Sequence, residues 1–137
     1  MRALLQRVTR AEVRVGERTV GSIGHGLLVL LGVGPSDDAA TADAMARRVV
    51  ELRIHEDAAG KTNLALPDVG GAVLAVSQFT LYADTRRGRR PGFTNAAPPD
   101  LAIDLWRRVA AGIEAQKLAR LAEASLKKRR PRRTTAR

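Results

Sequence analysis

Ser77, Gln78, Phe79 and Thr80 stand together in "SQFTL", and Arg86, Arg87, Arg89 and Arg90 follow around Gly88. A hydroxyl-bearing stretch that feeds straight into an arginine cluster raises the question of what chemistry, if any, would use both. A nucleophilic Ser or Thr needs an adjacent base. The chain has two histidines, His25 and His55, both in turn-like stretches, so a classical triad is unsupported. Backbone N–H groups that hold a developing oxyanion, with a substrate hydroxyl or water attacking, are the design that remains. The strand end after Gln78 and the loop beyond it are where such N–H groups would lie. The plain alternative is a strand with one polar face, Ser77, Phe79 and Leu81 on one side and Gln78 and Thr80 on the other.

Glycine allows close approach of backbone to a ligand, and arginines fork onto phosphates. The alternative for the arginines is a solvated charge run. One Trp, one Tyr and two Phe cannot build an extended base-stacking platform. Phosphate recognition is therefore favoured over reading of bases. No cysteine is present, which removes thiolate catalysis, disulfides and Cys-ligated metals. No P-loop, GxGxxG, paired-carboxylate or His-rich metal signature occurs, so no metal or cofactor is expected.

These residues need elements to position them. "ALLQRVTRAEVRV" has the spacing of one long or two short strands, and "GERTVGSIGHG" that of turns around a short strand. The apolar run "GLLVLLGVG" predicts a buried strand. Ser36, Asp37 and Asp38 suit a helix start. Ala42, Met45, Val49 and Leu52 then place a helix over about 38–52. Gly34-Pro35 reads as entry chemistry for that helix. A short strand is expected near 63–65, and the clearest strand is "AVLAVSQFTL". The loop "ADTRRGRRPGFTNAAPP" is long enough to suggest function. Pro98, Pro99 and Asp100 open a second helix with the stripe Leu101, Leu105, Val109 and Ile113. Its period carries on through Leu118, Leu121, Ala122 and Leu126 to Pro131.

With 137 residues, one domain with its own core is expected. The net charge is +10; residues 117–137 carry nine Lys and Arg against one Glu, leaving +2 for residues 1–116. The tail "KKRRPRRTTAR" is either a phosphate-binding segment or a solvated end. The N-terminus turns charged too soon for a signal peptide, and the apolar runs are too short to span a bilayer. A cytoplasmic protein with no membrane association is the simplest expectation.

"MRALLQRVTRAEVRV", "GLLVLLGVG", "GKTNL", "VSQFTLYADTRRGRRPGF" and "PPDLAIDLW" occur in this order. Together they closely resemble the D-aminoacyl-tRNA deacylases over roughly residues 1–116. The resemblance implies an α/β (α+β) fold, a compact barrel-like antiparallel β-sheet with two main helices, assembled as a homodimer. It implies metal-free hydrolysis of the ester between a D-amino acid and the 3′ end of tRNA, and removal of glycine mischarged on tRNA(Ala). It places the aminoacyl group against Ser77–Thr80, with the backbone of Phe79 holding it and Gln78 beside it. Thr80 takes a position once assigned as nucleophile, and the terminal ribose hydroxyl is the other catalytic group implied. Arg86, Arg87, Arg89 and Arg90 become tRNA-binding residues, and Arg7 steadies a dimer contact.

Such proteins continue after the second helix with a glycine, two strands and a motif N-x-G-P-V-T, whose Gly-cis-Pro rejects L-amino acids. Here the chain reads "KLARLAEASLKKRRPRRTTAR" instead. Residues 1–116 are therefore expected to form the deacylase-like domain, and 117–137 a divergent basic extension, helical in part or disordered. The abrupt change is what a shifted reading frame leaves; the alternative is a genuine variant with an added helix and tail. A non-catalytic tRNA- or RNA-binding relative is the rival to the enzyme.

Overall fold

A strand that is apolar at every position must be covered on both faces. In the computed structural model, which describes residues 1–115 and the strand Arg120–Ala124, that strand is β4 (Gly26–Gly32). It lies inside a four-stranded sheet of order β1-β4-β7-β8. β1 (Arg2–Val8) pairs antiparallel with β4, and β7 (Ala72–Ser77) pairs parallel with it. Leu27, Val29 and Leu31 point to one face with Val73 and Ala75, and pack against the two helices. Leu74 and Val76 point to the other, with Leu28 and Leu30, and meet Ile23, Val13 and Val20 of the hairpin β2–β3 (Ala11–Val15, Arg18–Ile23). Helices, sheet and hairpin thus form three layers. Each apolar side chain fully buried between them contributes about 1.5–3 kcal/mol.

Helix α1 (Ala39–Glu51) begins where the sequence predicts. The Asp38 carboxylate accepts from Thr41 N at 2.9 Å and from its hydroxyl at 2.9 Å. Such a cap contributes about 1 kcal/mol, and these hydrogen bonds hold the Asp38 carboxyl below its ordinary pKa. α1 buries Ala42, Ala46, Val49 and Val50. α2 (Pro99–Ala115) buries Leu105, Val109 and Ile113 of the expected stripe, together with Trp106. Between α1 and β7 in the chain lie β5 (His55–Glu56) and β6 (Thr62–Leu64), a short antiparallel pair.

Two expectations are corrected. The strand expected to run through Leu81 stops at Ser77, and Phe79–Tyr82 curl into a 3-10 turn. The alternation of Phe79 and Leu81 against Gln78 and Thr80 therefore does not exist. Gln78 N donates the last ladder bond, to Leu31 O at 2.8 Å. Beyond it β4 offers Gly32, and a Cβ there would stand 3.0 Å from Leu81 Cβ and 3.1 Å from the Tyr82 ring. The turn folds over that missing side chain.

The helical period does not continue to Leu126 either. Arg120–Ala124 is a strand, β8, parallel to β7 from Ala72↔Arg120 to Val76↔Ala124. Without it, one edge of β7 would present a row of unpaired backbone groups. Pairing that edge outweighs a local preference for helix, so the replacement of C-terminal strands by helix is incomplete. The basic run after Ala124 lies outside the described residues.

Candidate active site

The end of β7 delivers its chemistry through backbone. Gln78 N is used by Leu31 O, but the N–H groups of Phe79 and Thr80 have no protein acceptor among the described residues. They open the 3-10 turn, where the first N–H groups lack an intrahelical partner. Both residues are exposed, and Phe79 leaves 55% of its surface open. Its ring meets Phe93 edge-on at 4.9 Å, the geometry ring quadrupoles favour. The Gln78 side-chain amide donates to Thr80 Oγ1. Ser77 is half-buried and pairs with Leu31.

Several groups hold this turn, and the sequence alone did not point to them. Arg2 Nη1 donates to Leu81 O at 2.9 Å, while its guanidinium lies 4.5 Å from the centre of the Tyr82 ring. Tyr82 is buried, and burial pushes its phenol pKa up, with Asp37 adding to the shift and Arg2 opposing it. Gly34 N donates to Asp37 Oδ2 at 2.7 Å, so Gly34-Pro35 serves helix entry as expected. Gly32 had a faint signal, a glycine ending an apolar strand. Arg2 had none, because only the β1–β4 register brings it beside the turn.

The arginine loop is closed at its base. Asp84 and Gly92 exchange two backbone bonds of 2.7 Å. Arg86 forks onto Asp84, at 3.0 and 2.9 Å, and its own N–H adds a third bond to that carboxylate. The Arg86 side chain holds the Asp84 carboxyl down to about 2. Arg87, Arg89 and Arg90 are exposed and have no ion pair among the described residues. The four arginines of the motif therefore divide, one shaping the loop and three left for an anion.

Arg7 and both histidines lie elsewhere. Arg7 pairs with Leu27, whereas Ser77 pairs with Leu31, so about 14 Å of strand separates them within one chain. His25 O accepts from Ala72 N at the start of β7, the opposite end from Thr80. No histidine serves Thr80 as base. His55, expected in a surface turn, is 4% exposed. Burial lowers its pKa from 6.5, and the charges of His25 and Arg7 lower it further.

The unfolded state therefore binds the His55 proton more readily than the folded state. Stability is full above about pH 6.5 and falls as pH drops towards the lowered folded value. The melting temperature is expected to fall between pH 7.5 and 5.5, and His55→Phe is expected to flatten that slope. The carboxylates with lowered pKa values titrate below this window. A slope unchanged in His55→Phe would remove His55 as its source.

With this geometry in place, a family model described as D-Tyr-tRNA(Tyr) deacylase matches residues 4–128, a span that holds the turn, the loop and β8. The chain belongs to that family. A D-aminoacyl-tRNA deacylase from Anaeromyxobacter dehalogenans (strain 2CP-C) is 59% identical over 109 residues, 80% of this chain and 73% of the relative. One from Lacticaseibacillus casei (strain BL23) is 53% identical over 115 residues, 84% of this chain and 78% of the relative. Among solved structures, a c-Myc DNA Unwinding Element Binding Protein superposes with a TM-score of 0.81 at 32% identity, over 91% of this chain and 85% of that one. A probable eukaryotic D-amino acid tRNA deacylase shares the fold, with a TM-score of 0.72 at 16% identity over 82% and 66% of the two chains. This deacylase-family fold is the α/β architecture expected from the sequence, its sheet mixed rather than purely antiparallel. Among the described residues, no helix is long and apolar enough to cross a membrane, and no three His, Cys, Asp or Glu group to hold a metal ion.

Proposed function

We propose that this chain hydrolyses the ester joining a D-amino acid to the 3′-terminal ribose of a tRNA. The observation that carries the reading is the pair of N–H groups at Phe79 and Thr80, presented on an exposed turn with neither an acceptor for them nor a base beside the hydroxyl among the described residues. The ester carbonyl oxygen sits against these N–H groups. Water adds to the carbonyl carbon, and the N–H groups hold the oxyanion that forms. Collapse breaks the ester bond, the ribose oxygen leaves with a proton, and free D-amino acid and tRNA result. The neighbouring ribose hydroxyl, the group implied by the family resemblance, relays the proton: it accepts one from the water as it passes its own to the leaving ribose oxygen, so no protein base is needed. The Gln78 amide, tied to Thr80 Oγ1, orients the floor of the site. Glycine mischarged on tRNA(Ala) is a second substrate on the same reading, because the contacts are to backbone.

Arg87, Arg89 and Arg90 receive tRNA phosphates, while Arg86 fixes the loop through Asp84. Replacing the three by Gln is expected to lower the slope of log K against log salt by roughly 2 to 3. An unchanged slope in a filter-binding series would remove the phosphate assignment. The working form is a homodimer in the cytoplasm. Leu4, 56% exposed on the edge strand β1, is the side chain this reading offers to the second copy, while Arg7 lies too far from its own Ser77 to serve that site.

The test is deacylation of matched D- and L-aminoacyl-tRNA by the purified chain, run beside its sedimentation behaviour. Release of the D-amino acid supports the reading. Binding of tRNA with neither ester cleaved supports the rival, an RNA-binding relative without catalysis, for which the three exposed arginines without an ion pair among the described residues are the favouring observation.

A further inference from the structure

A cavity of about 380 Å³ opens at the end of the sheet away from the 3-10 turn. Arg7, Thr9, His25, His55 and Glu56 line it, together with Val8 and Val69. The His25 and His55 rings stand 5.9 Å apart between centroids, tilted by 54°. His55 is buried, and its Nε2 has no hydrogen-bond partner among the described residues. Buried polar nitrogens are nearly always paired, so an orphan in the wall of a polar cavity marks a place for a ligand atom. Arg7 is engaged only loosely: Glu56 lies 3.9 Å away, and the two side chains are 49% and 64% exposed. Exposed pairs of this kind are weak, so the guanidinium keeps donors to offer.

Most of the groups that line the cavity donate. A guanidinium fork, a hydroxyl and two imidazoles converge, against the single carboxylate of Glu56. Such a set fits an anion that accepts on every side. The volume lies at the small end of the range for ligand pockets. We propose that this cavity binds a small phosphate-class oxyanion, with Arg7 as the forked donor and Thr9, His25 and His55 around it. Glu56 holds Arg7 when the site is empty and yields to the anion. The groups facing His55 are His25, Arg7 and Glu56. Protonation of His55, which burial disfavours in the empty site, strengthens the site, so the affinity for sulfate rises as pH falls.

The chain has two histidines, so imidazole NMR signals are assigned with one variant, His25→Gln. Inorganic phosphate is titrated into the full chain against chloride at matched ionic strength. Saturable shifts of both imidazoles are expected. Arg7→Gln is expected to weaken phosphate about tenfold, and Glu56→Gln to tighten it about threefold. Both side chains are exposed, so these variants keep the fold. A trinucleotide RNA with a 5′ phosphate is compared with its 5′-hydroxyl form. Preference for the phosphorylated RNA, with free phosphate silent, assigns the anion to RNA; a response to free phosphate assigns a free ion, and either supports the site. Shifts that chloride reproduces, shifts that do not saturate, or affinity unchanged in Arg7→Gln would overturn it. Deacylation plays no part in these readouts, so failure here leaves the proposed reaction standing.

Discussion

Phe79→Pro is expected to lower kcat for D-aminoacyl-tRNA by about 10²–10³-fold, the usual loss when one oxyanion donor is removed. Proline deletes the N–H of Phe79 and nothing else of the backbone. The position tolerates it, because proline suits the first residue of a helical turn, where the N–H has no acceptor among the described residues. Gln78 before it has φ −138° and ψ 91°, the extended region a residue preceding proline prefers. The ring is lost too, so Phe79→Ala is the comparison: it keeps the N–H and removes the contact with Phe93. Phe79→Ala is expected to act mainly on KM. If the two variants lose the same kcat, the ring and not the N–H carries the effect, and the oxyanion assignment fails. Affinity for uncharged tRNA is expected to stay within about twofold in both, since phosphate contacts dominate it.

Gly26→Ala is expected to destabilise the chain on the order of 3 kcal/mol or more. Gly26 opens β4 with φ 153°, which L side chains rarely adopt. A Cβ there would stand 1.9 Å from Ala72 O and 2.6 Å from Ala72 N. Both are backbone atoms of the strand that β4 must pair with, so neither can swing aside. Strain and collision add. Gly24→Ala, two residues away where a Cβ would meet nothing within 4 Å, is expected to stay within about 0.5 kcal/mol. Urea unfolding of the two variants decides it. Equal stability would mean that β4 and β7 have room to part at this end.

Much of the frame was legible in the residues. The run "GLLVLLG" could only be a strand covered on both faces, and Asp38 with the stripe of α1 marked that helix within a residue at each end. The candidate residues Ser77–Thr80 were legible as types, but not as geometry. Where β7 stops depends on Leu31 O and on Gly32, which belong to a strand far away in sequence. A pattern of apolar and polar residues carries no mark of that. His55 was misplaced for a similar reason. "HEDAAG" looks like a surface turn, and only the pairing of β5 with β6 buries its first residue. β8 was hidden because "KLARLAEASL" fits a helical period, while the edge it fills is made by β7. The division of labour among the arginines needed Asp84, whose distance from Arg86 along the chain is short but whose orientation is set by the bridge to Gly92.

The order β1-β4-β7-β8 also sets a tempo. β1 and β4 close over a short hairpin-bearing stretch, but Gly26 must find Ala72, and Ala72 must find Arg120, each about 45 residues further along the chain. Loop closure over such separations precedes any reward from the new ladder, so these parallel pairings form late. On the ribosome, β7 emerges with one neighbour ready and the other not yet made. Its outer edge stays open for the several seconds that translation of the next stretch takes. That interval is when a second nascent chain, or a chaperone, meets β7 before its own β8 does.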